Sequence, residues 1–227
     1  MKNSIRNLSA TVLFAVTALG FTAAAHAQSE QQKLVNAADV TLSNFMRDPE
    51  MKWLQQNIHR AKAVLISPEI VKAGFIIGGS GGRGVLLARE GGTGKWVGPA
   101  FYTLATASIG FQAGVAASEM VTLVMTEKGM NSLLSSSFKF GADASVAAGP
   151  VGVGAKSDVV ADLIAFSRSK GVYGGLNLDG TVVSTNDDWN AAFFGKKVLP
   201  PDILMRANVS NKGADKLIAA VSKAATK

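Results

Sequence analysis

Residues 74–94, with the sequence GFIIGGSGGRGVLLAREGGTG, place nine glycines within 21 positions. Ordering glycine costs more conformational entropy than ordering any other residue, so this density indicates backbone that takes positive φ or approaches another segment closely. The segment also contains two apolar runs, 75–77 (FII) and 85–88 (VLLA), which flexible glycine linkers lack. We therefore expect two strands joined by a glycine turn.

Two nucleotide-binding motifs match this segment only in part. Residues 79–84 fit G-x-G-x-x-G, but a dinucleotide site also needs a following helix and an acidic residue about 20 positions on. No Asp or Glu lies between Glu90 and Glu119. Lys95 follows Gly94 as in a phosphate-binding loop, but Trp96 replaces the Ser or Thr that would hold magnesium. Neither nucleotide site is expected.

Residues 78–82 also fit the G-x-S-x-G nucleophile elbow, with Ser80 at its centre. The serine of that motif needs a histidine base from later in the chain, and no histidine follows His59. A serine hydrolase therefore remains the less favoured alternative, with His59, a lysine or a carboxylate brought to Ser80 by the fold. We expect no enzyme.

The N-terminus has the pattern of a secretory signal peptide. Lys2 and Arg6 precede an apolar run over 10–21, and an A-x-A site occupies 25–27. The apolar run is shorter than the ~20 residues that a membrane-spanning helix requires. We expect cleavage after Ala27 and a periplasmic or secreted protein, either free or peripheral to a membrane.

Charge and composition narrow the partners. The chain has 227 residues and a formal net charge of +7, and removal of 1–27 takes away two basic residues and leaves +5 over 200 residues. This excess favours anionic partners, which in a cell envelope are phospholipid headgroups or lipopolysaccharide rather than nucleic acid. There is no cysteine, and His59 is the one histidine after the signal peptide. We therefore expect no metal and no cofactor.

We divide the chain into a signal peptide (1–27), an N-terminal helical segment (28–60) and a single α+β domain (61–227). Apolar spacing predicts a helix over 29–47, and Asp48 and Pro49 have the residue types that begin a second helix. A short strand over 61–67 should end at Pro68. Residues 97–125 read as successive strands, and 126–134 as a short capped helix.

The second half of the chain continues this alternation. Residues 138–148 and 160–167 read as extended, with a turn over 149–152 between them. Asp179 and Gly180 predict a two-residue hairpin turn. They also imitate part of a calcium loop, but Gly175 and Asn186 occupy its first and twelfth ligand positions, so no calcium is expected. Residues 189–194 read as a short helix ended by Gly195.

The last segment, 211–227, predicts a basic amphipathic helix. At about 100° per residue, Lys212, Lys216 and Lys223 fall opposite an apolar side that includes Leu217 and Val221. Two interpretations are open. The apolar side lies in the core and the lysines face solvent, or the helix docks on an anionic surface.

Several short motifs recur in a fixed order over residues 51–205. They are AKAVL at 61–65, the glycine stretch through GVL at 84–86, W-x-x-P-A-F at 96–101, G-x-Q-x-G at 110–114, EMV at 119–121, GPVG at 149–152, SRSKGVYGGL at 167–176 and NAAFFG at 190–195. In order and spacing they resemble the SYLF domain family, found in bacterial envelope proteins and in fungal and animal membrane-trafficking adaptors.

The resemblance implies a non-enzymatic lipid-binding module. Eukaryotic members bind phosphoinositides, and some fungal members bind actin filaments. A chain with this signal peptide would meet neither actin nor, in most settings, phosphoinositides. What carries over is a basic surface that recognises phosphate on a lipid headgroup. The candidate residues are Lys62, Lys72, Arg83, Arg89 and Lys95 around the glycine stretch, and Lys212, Lys216 and Lys223 on the terminal helix.

We expect an α+β fold, with an antiparallel curved sheet or partial barrel and with N-terminal and C-terminal helices packed on it. A parallel βαβ architecture is disfavoured because the middle of the chain lacks long helices between strands. The expected function is recognition of anionic, phosphoinositide-like headgroups by basic residues. The alternative is a structural or adhesive envelope module that binds another protein.

Overall fold

The computed structural model describes residues 28–74, 77–109, 114–152, 159–169 and 180–226. The predicted signal peptide and the predicted turn residue Asp179 lie outside these ranges. The described residues form an eight-stranded sheet curled into a half barrel, with helices near both ends of the chain, which confirms the predicted α+β class.

The elements follow in chain order. The helices are α1 (Glu30–Arg47), α2 (Lys52–Asn57), α3 (Glu127–Leu134), α4 (Asp187–Phe194), α5 (Pro200–Leu204) and α6 (Asp215–Ala224), with 3-10 turns at Pro49–Met51, Ile58–Arg60 and Lys212–Ala214. The strands are β1 (Ala63–Gly74), β2 (Ile77–Arg89), β3 (Trp96–Ile109), β4 (Gly114–Val124), β5 (Ser137–Lys139), β6 (Val146–Ala148), β7 (Leu163–Ser169) and β8 (Val182–Thr185).

The strand order is β5-β8-β3-β2-β1-β4-β7-β6. Six of the pairings are antiparallel, and the pairing of β6 with β7 is parallel. The four long strands β1 to β4 form the centre, and β3 and β4 lie in the predicted run of strands over 97–125. Short connections join β1 to β2 and β2 to β3, as antiparallel pairing allows, whereas the other neighbouring strands come from segments further apart in the sequence.

Apolar side chains cover both faces of the central sheet. Val64 and Ile66 of β1 lie in one buried cluster with residues of α1, α2, α4 and α6. Ala63 and Leu65 point the other way, into a second cluster that includes residues of α3, α5 and β5. Successive side chains of a strand alternate between faces. The run AVLI is therefore fully apolar because both faces are buried.

Four helix or 3-10 starts lie within two residues of the positions that the sequence indicated, whereas the last helix spans 215–224 instead of the predicted 211–227. Ser29, Asp48, Thr126 and Asn186 each accept a backbone N–H from the start of a helix or 3-10 turn. Gly195 follows α4 with φ of 70°, a conformation that favours glycine. The five-residue α5 was not predicted.

The expectation that Pro68 ends the first strand is wrong. β1 runs on to Gly74, and its register shifts between Ile66 and Glu69 opposite β2. A proline has no N–H to donate to a ladder, and a bulge provides a position where none is needed. The strand therefore passes through the proline.

The expected glycine turn is also wrong, because residues 78–84 lie inside β2. These glycines allow close approach instead. A Cβ on Gly84 would lie 2.5 Å from Ser67 Oγ, and a Cβ on Gly82 would collide with the Glu69 carbonyl oxygen. Both contacts lie at the bulge of β1. The glycines and the proline are therefore parts of one local structure.

Replacing Gly82 by Ala should lower the free energy of unfolding by roughly 1–3 kcal/mol, because the new methyl overlaps backbone that pairing holds in place. Gly81→Ala is the matched control, since its Cβ would lie 3.6 Å from the Leu104 carbonyl oxygen, an ordinary contact. Urea denaturation of both variants measures the difference. Equal stabilities would contradict the close approach of β1 to β2.

A polar network fixes α1 on the sheet. Glu119 of β4 accepts hydrogen bonds from the Thr41 hydroxyl (3.1 Å) and from the Arg168 guanidinium (2.5 Å). Arg168 also lies 3.5 Å from the Asp48 carboxylate and stacks over the Phe45 ring. These directional contacts set the position of α1 above β4 and β7.

Asp162 holds the start of β7 against α3. Its carboxylate accepts hydrogen bonds from the Thr126 hydroxyl (2.6 Å) and from the Ser145 N–H (2.9 Å). These hydrogen bonds lower the pKa of Asp162 to about 2, and the bond from Thr126 has the largest effect, followed by the one from the Ser145 N–H. Because the folded-state pKa is depressed, the stabilisation is present above the ordinary pKa of 3.8 and is lost as pH falls towards 2.

Asp162→Asn should therefore reduce stability by ~2 kcal/mol at neutral pH, since an amide replaces a charged acceptor. The gap between wild type and variant should shrink as pH falls through the range from 3.8 to about 2. Denaturant midpoints measured across that range test this. A gap that does not change with pH would show that the carboxylate charge is not what matters.

Candidate functional site

The structure separates the predicted basic residues into three places. We call the end of the sheet at Ala63 and Arg89 the proximal end, and the end at Gly74 and Ile77 the distal end. Lys62, Arg89 and Lys95 lie at the proximal end, Lys72 and Arg83 lie in the distal half, and Lys212, Lys216 and Lys223 lie in and just before α6. The five candidates near the glycine stretch thus form no single surface.

Two of the proximal cations are already engaged. The Arg89 guanidinium donates to the backbone oxygens of Ala61 (3.3 Å) and His59 (3.2 Å), and it stacks on the Trp96 ring. Arg89 therefore has a structural role, because its N–H groups bind backbone carbonyl oxygens of the segment before β1. Lys62 pairs with Glu127 at 2.6 Å. Lys95 is exposed, and no ion pair forms on it within the described ranges.

The two distal cations face opposite ways. Arg83 lies directly across from Glu69, and Lys72 lies across from Ser80. Because Glu69 and Lys72 are three residues apart on one strand, they point to opposite faces of the sheet. Arg83 faces the helices and stacks over the Trp189 ring at 4.6 Å, whereas Lys72 is exposed on the other face.

The apolar side of α6 lies in the core, as the first interpretation of this segment expected. Leu217 and Val221 are fully buried beneath the helix, and Ala214 precedes them. Lys212, Lys216 and Lys223 are exposed on the other side. An apolar side that is already packed does not insert into a bilayer, so α6 offers charge alone.

Two polar contacts join α1 to α6 and to the 3-10 turn before it. The Gln32 side-chain amide donates to the Gly213 carbonyl oxygen at 2.8 Å, and Lys216 Nζ lies 2.9 Å from Asp39 Oδ2. The Asp39 side chain is 9% exposed and that of Lys216 is 83% exposed. Lys216 therefore neutralises a nearly buried carboxylate.

Lys216→Gln should cost about 1–3 kcal/mol of stability, because it leaves Asp39 without its charged partner. The same exchange in an Asp39→Asn background should cost little, so that the two changes couple. A double-mutant cycle by urea denaturation measures the coupling. If Lys216→Gln costs the same in both backgrounds, the pair contributes nothing to the fold.

A groove lies between the first turns of α1 and the distal half of β1 to β3. We call it the distal groove; it encloses about 670 Å³. Its lining includes Gly81 and Ala105 of the sheet, Val71 of β1, Leu34 of α1 and Trp189 of α4. Sequence reasoning missed it because α1 is brought there by long-range packing. The sequence did contain one indication of the groove. Small residues at alternate strand positions leave one face of the sheet without side chains large enough to fill it.

Four charged residues lie around the distal groove. They are Glu30, Lys33, Glu69 and Arg83. Glu30 and Lys33 form a helical pair at 2.7 Å, and the Lys33 ammonium lowers the pKa of Glu30, with a lesser effect from Arg83. The charges around the groove therefore balance.

The structure keeps His59 away from Ser80. Ser80 pairs with Lys72, nine residues beyond the start of β1 at Ala63. At 3.3 Å per residue this places it about 30 Å from the proximal end, where His59 lies. His59 therefore cannot be the base that the hydrolase alternative would need.

No group of three His, Asp or Glu side chains within the described ranges is arranged to hold a metal ion. None of the helices in those ranges is long and apolar enough to cross a membrane.

A model of the Ysc84 family, described as "Las17-binding protein actin regulator", matches residues 105–224. This match covers slightly more than half of the chain. The chain belongs to the Ysc84 family. The resemblance to SYLF domains, inferred from short motifs over 51–205, is thereby confirmed.

The Ysc84 relatives are longer proteins. The chain is 31% identical over 145 residues to LAS seventeen-binding protein 3 of Saccharomyces cerevisiae strain YJM789, which covers 61% of the chain and 31% of the relative. It is 29% identical over 132 residues to SH3 domain-containing YSC84-like protein 1 of Xenopus laevis, covering 56% of the chain and 39% of the relative. The chain thus spans less than half the length of these relatives.

Proposed function

We propose that this Ysc84-family chain is a non-enzymatic protein of the cell envelope or extracellular space that binds anionic phospholipid headgroups through the lysine side of α6. One observation carries the proposal. Lys212 and Lys223 are exposed and form no ion pair within the described residues, while Leu217 and Val221 hold the helix in the core. Headgroups that carry several phosphates, as phosphoinositides do, fit such a row of cations.

The expected binding is weak and depends on salt. Each lysine near an anionic membrane contributes about 1 kcal/mol. Lys212 and Lys223 contribute in full, and Lys216 contributes less because Asp39 already neutralises part of its charge. Salt screens such contacts, since the Debye length falls from about 10 Å at 0.1 M to about 3 Å at 1 M. Attachment would therefore be reversible and peripheral.

A protein partner is the second candidate. The yeast relatives carry names that describe binding to LAS seventeen, and the family description names an actin regulator. An acidic protein surface would meet the same lysines of α6. Vesicles free of protein separate the two, because a protein-binding module has no reason to be retained by them.

Two of the three lysine charges on the lysine side of α6 can be removed without breaking the ion pair between Lys216 and Asp39. Lys212→Gln with Lys223→Gln keeps Lys216, and with it the partner of Asp39. Loss of two contacts of about 1 kcal/mol each should weaken binding to vesicles that contain phosphatidylglycerol by about 30-fold. Vesicle flotation measures the effect, and raising salt to about 0.5 M should weaken the wild type in the same way.

Lys72→Gln with Lys95→Gln is the matched control. Both residues are exposed at opposite ends of the sheet, and the charge removed is the same. This variant should bind as the wild type does. Equal loss in both double variants would argue against α6 as the site. Unchanged binding in both, with no effect of salt, would rule out electrostatic headgroup binding.

A further inference from the structure

The distal groove differs from the lysine side of α6 in the balance of its charges. Glu30 and Lys33 stand on the helix side, and Glu69 and Arg83 stand opposite each other on the sheet side. A ligand with charge of only one sign gains attraction from one member of each pair and repulsion from the other. The groove therefore favours a ligand that carries both charges.

Size and lining point to an amphiphile. A volume of about 670 Å³ lies within the usual range of small-molecule sites, roughly 300–1,000 Å³. Leu34, Val71 and Ala105 present apolar surface along it, and Gly81 presents bare backbone. The ligand should thus join a charged headgroup to an apolar body.

Arg83 is prepared to bind a phosphate. Its guanidinium carbon lies 4.6 Å from the centre of the Trp189 ring, and the residue is exposed. No hydrogen bond or ion pair occupies that guanidinium among the described residues. A planar fork held in this way matches two phosphate oxygens better than a lysine does.

Glu69 selects the kind of cation. Its carboxylate is exposed and makes no ion pair within the described part of the chain. A primary ammonium donates N–H groups to a carboxylate, whereas a quaternary ammonium has none to donate. Quaternary groups are instead recognised by aromatic faces, and Arg83 already lies over one face of Trp189. The site therefore prefers a primary amine.

We propose that the distal groove binds a single aminophospholipid. The lipid phosphate lies on Arg83, the ethanolamine ammonium lies on Glu69, and the glycerol and first acyl carbons run along Val71 and Leu34. This site is separate from α6 and does not depend on the anionic-surface binding proposed above.

Short-chain lipids below their micelle concentration test this without a membrane. Dihexanoyl phosphatidylethanolamine should shift the indole N–H resonance of Trp189 and bind about tenfold more tightly than dihexanoyl phosphatidylcholine, which lacks the N–H donors. Inorganic phosphate and ethanolamine alone should bind much more weakly than the joined headgroup. Equal affinity for the two lipids, or no shift at Trp189, would overturn the proposal.

Three variants assign the contacts. Glu69→Gln should abolish the preference for ethanolamine over choline, and Arg83→Gln should weaken both lipids about tenfold. Gly81→Val should abolish binding, because its methyl groups occupy the groove while its Cβ has room, 3.6 Å from the Leu104 carbonyl oxygen. Retained binding by a folded Gly81→Val variant would also overturn the proposal.

Two controls keep the result separate from folding and from α6. Ala107→Val introduces the same side chain two residues along β3 from Ala105, which lines the groove, and should bind as the wild type does. Lys212→Gln with Lys223→Gln should leave short-chain lipid binding unchanged. Gly81→Val should in turn leave the salt-dependent vesicle binding intact. Failure of either proposal is thus visible without the other.

Discussion

A proline inside a strand that is paired on both sides is the constraint on which the rest of the sheet depends. Pro68 cannot donate to the ladder, so β1 bulges between Ile66 and Glu69. The bulge pushes backbone towards β2, where only glycine fits at 82 and 84. It also shifts the register so that Glu69 comes to face Arg83 on the helix side. The charges of the distal groove follow from that shift.

Local sequence patterns predicted the helices because a helix begins and ends through contacts within four residues. Asp48, Thr126 and Gly195 are examples, and each lies where its side chain or backbone preference requires. The course of β1 and β2 was mispredicted for the opposite reason. Proline and glycine usually interrupt strands, and only the facing strand shows that here they fit one another.

The candidate site was predictable in its charge but not in its geometry. From the sequence alone, Arg89 and Lys212 are equally good candidates for binding a headgroup, because both are cations outside an apolar run. In the fold, Arg89 is occupied by backbone oxygens near His59, whereas Lys212 is exposed. Lys216 meets Asp39, a residue from the other end of the chain. Which lysines are available therefore depends on contacts between distant segments, and composition does not contain that information.

The contact of Glu119 with Thr41 and Arg168 has a consequence for motion. Apolar packing tolerates small sliding of a helix over a sheet, whereas hydrogen bonds to a fixed carboxylate do not. Glu119 therefore fixes α1 near Thr41, and the hydrogen bond from the Gln32 amide to the Gly213 carbonyl oxygen fixes its first turns. Because α1 is held near both of its ends, the distal groove that it borders keeps a constant width. A molecule that enters the groove must fit a preformed cleft.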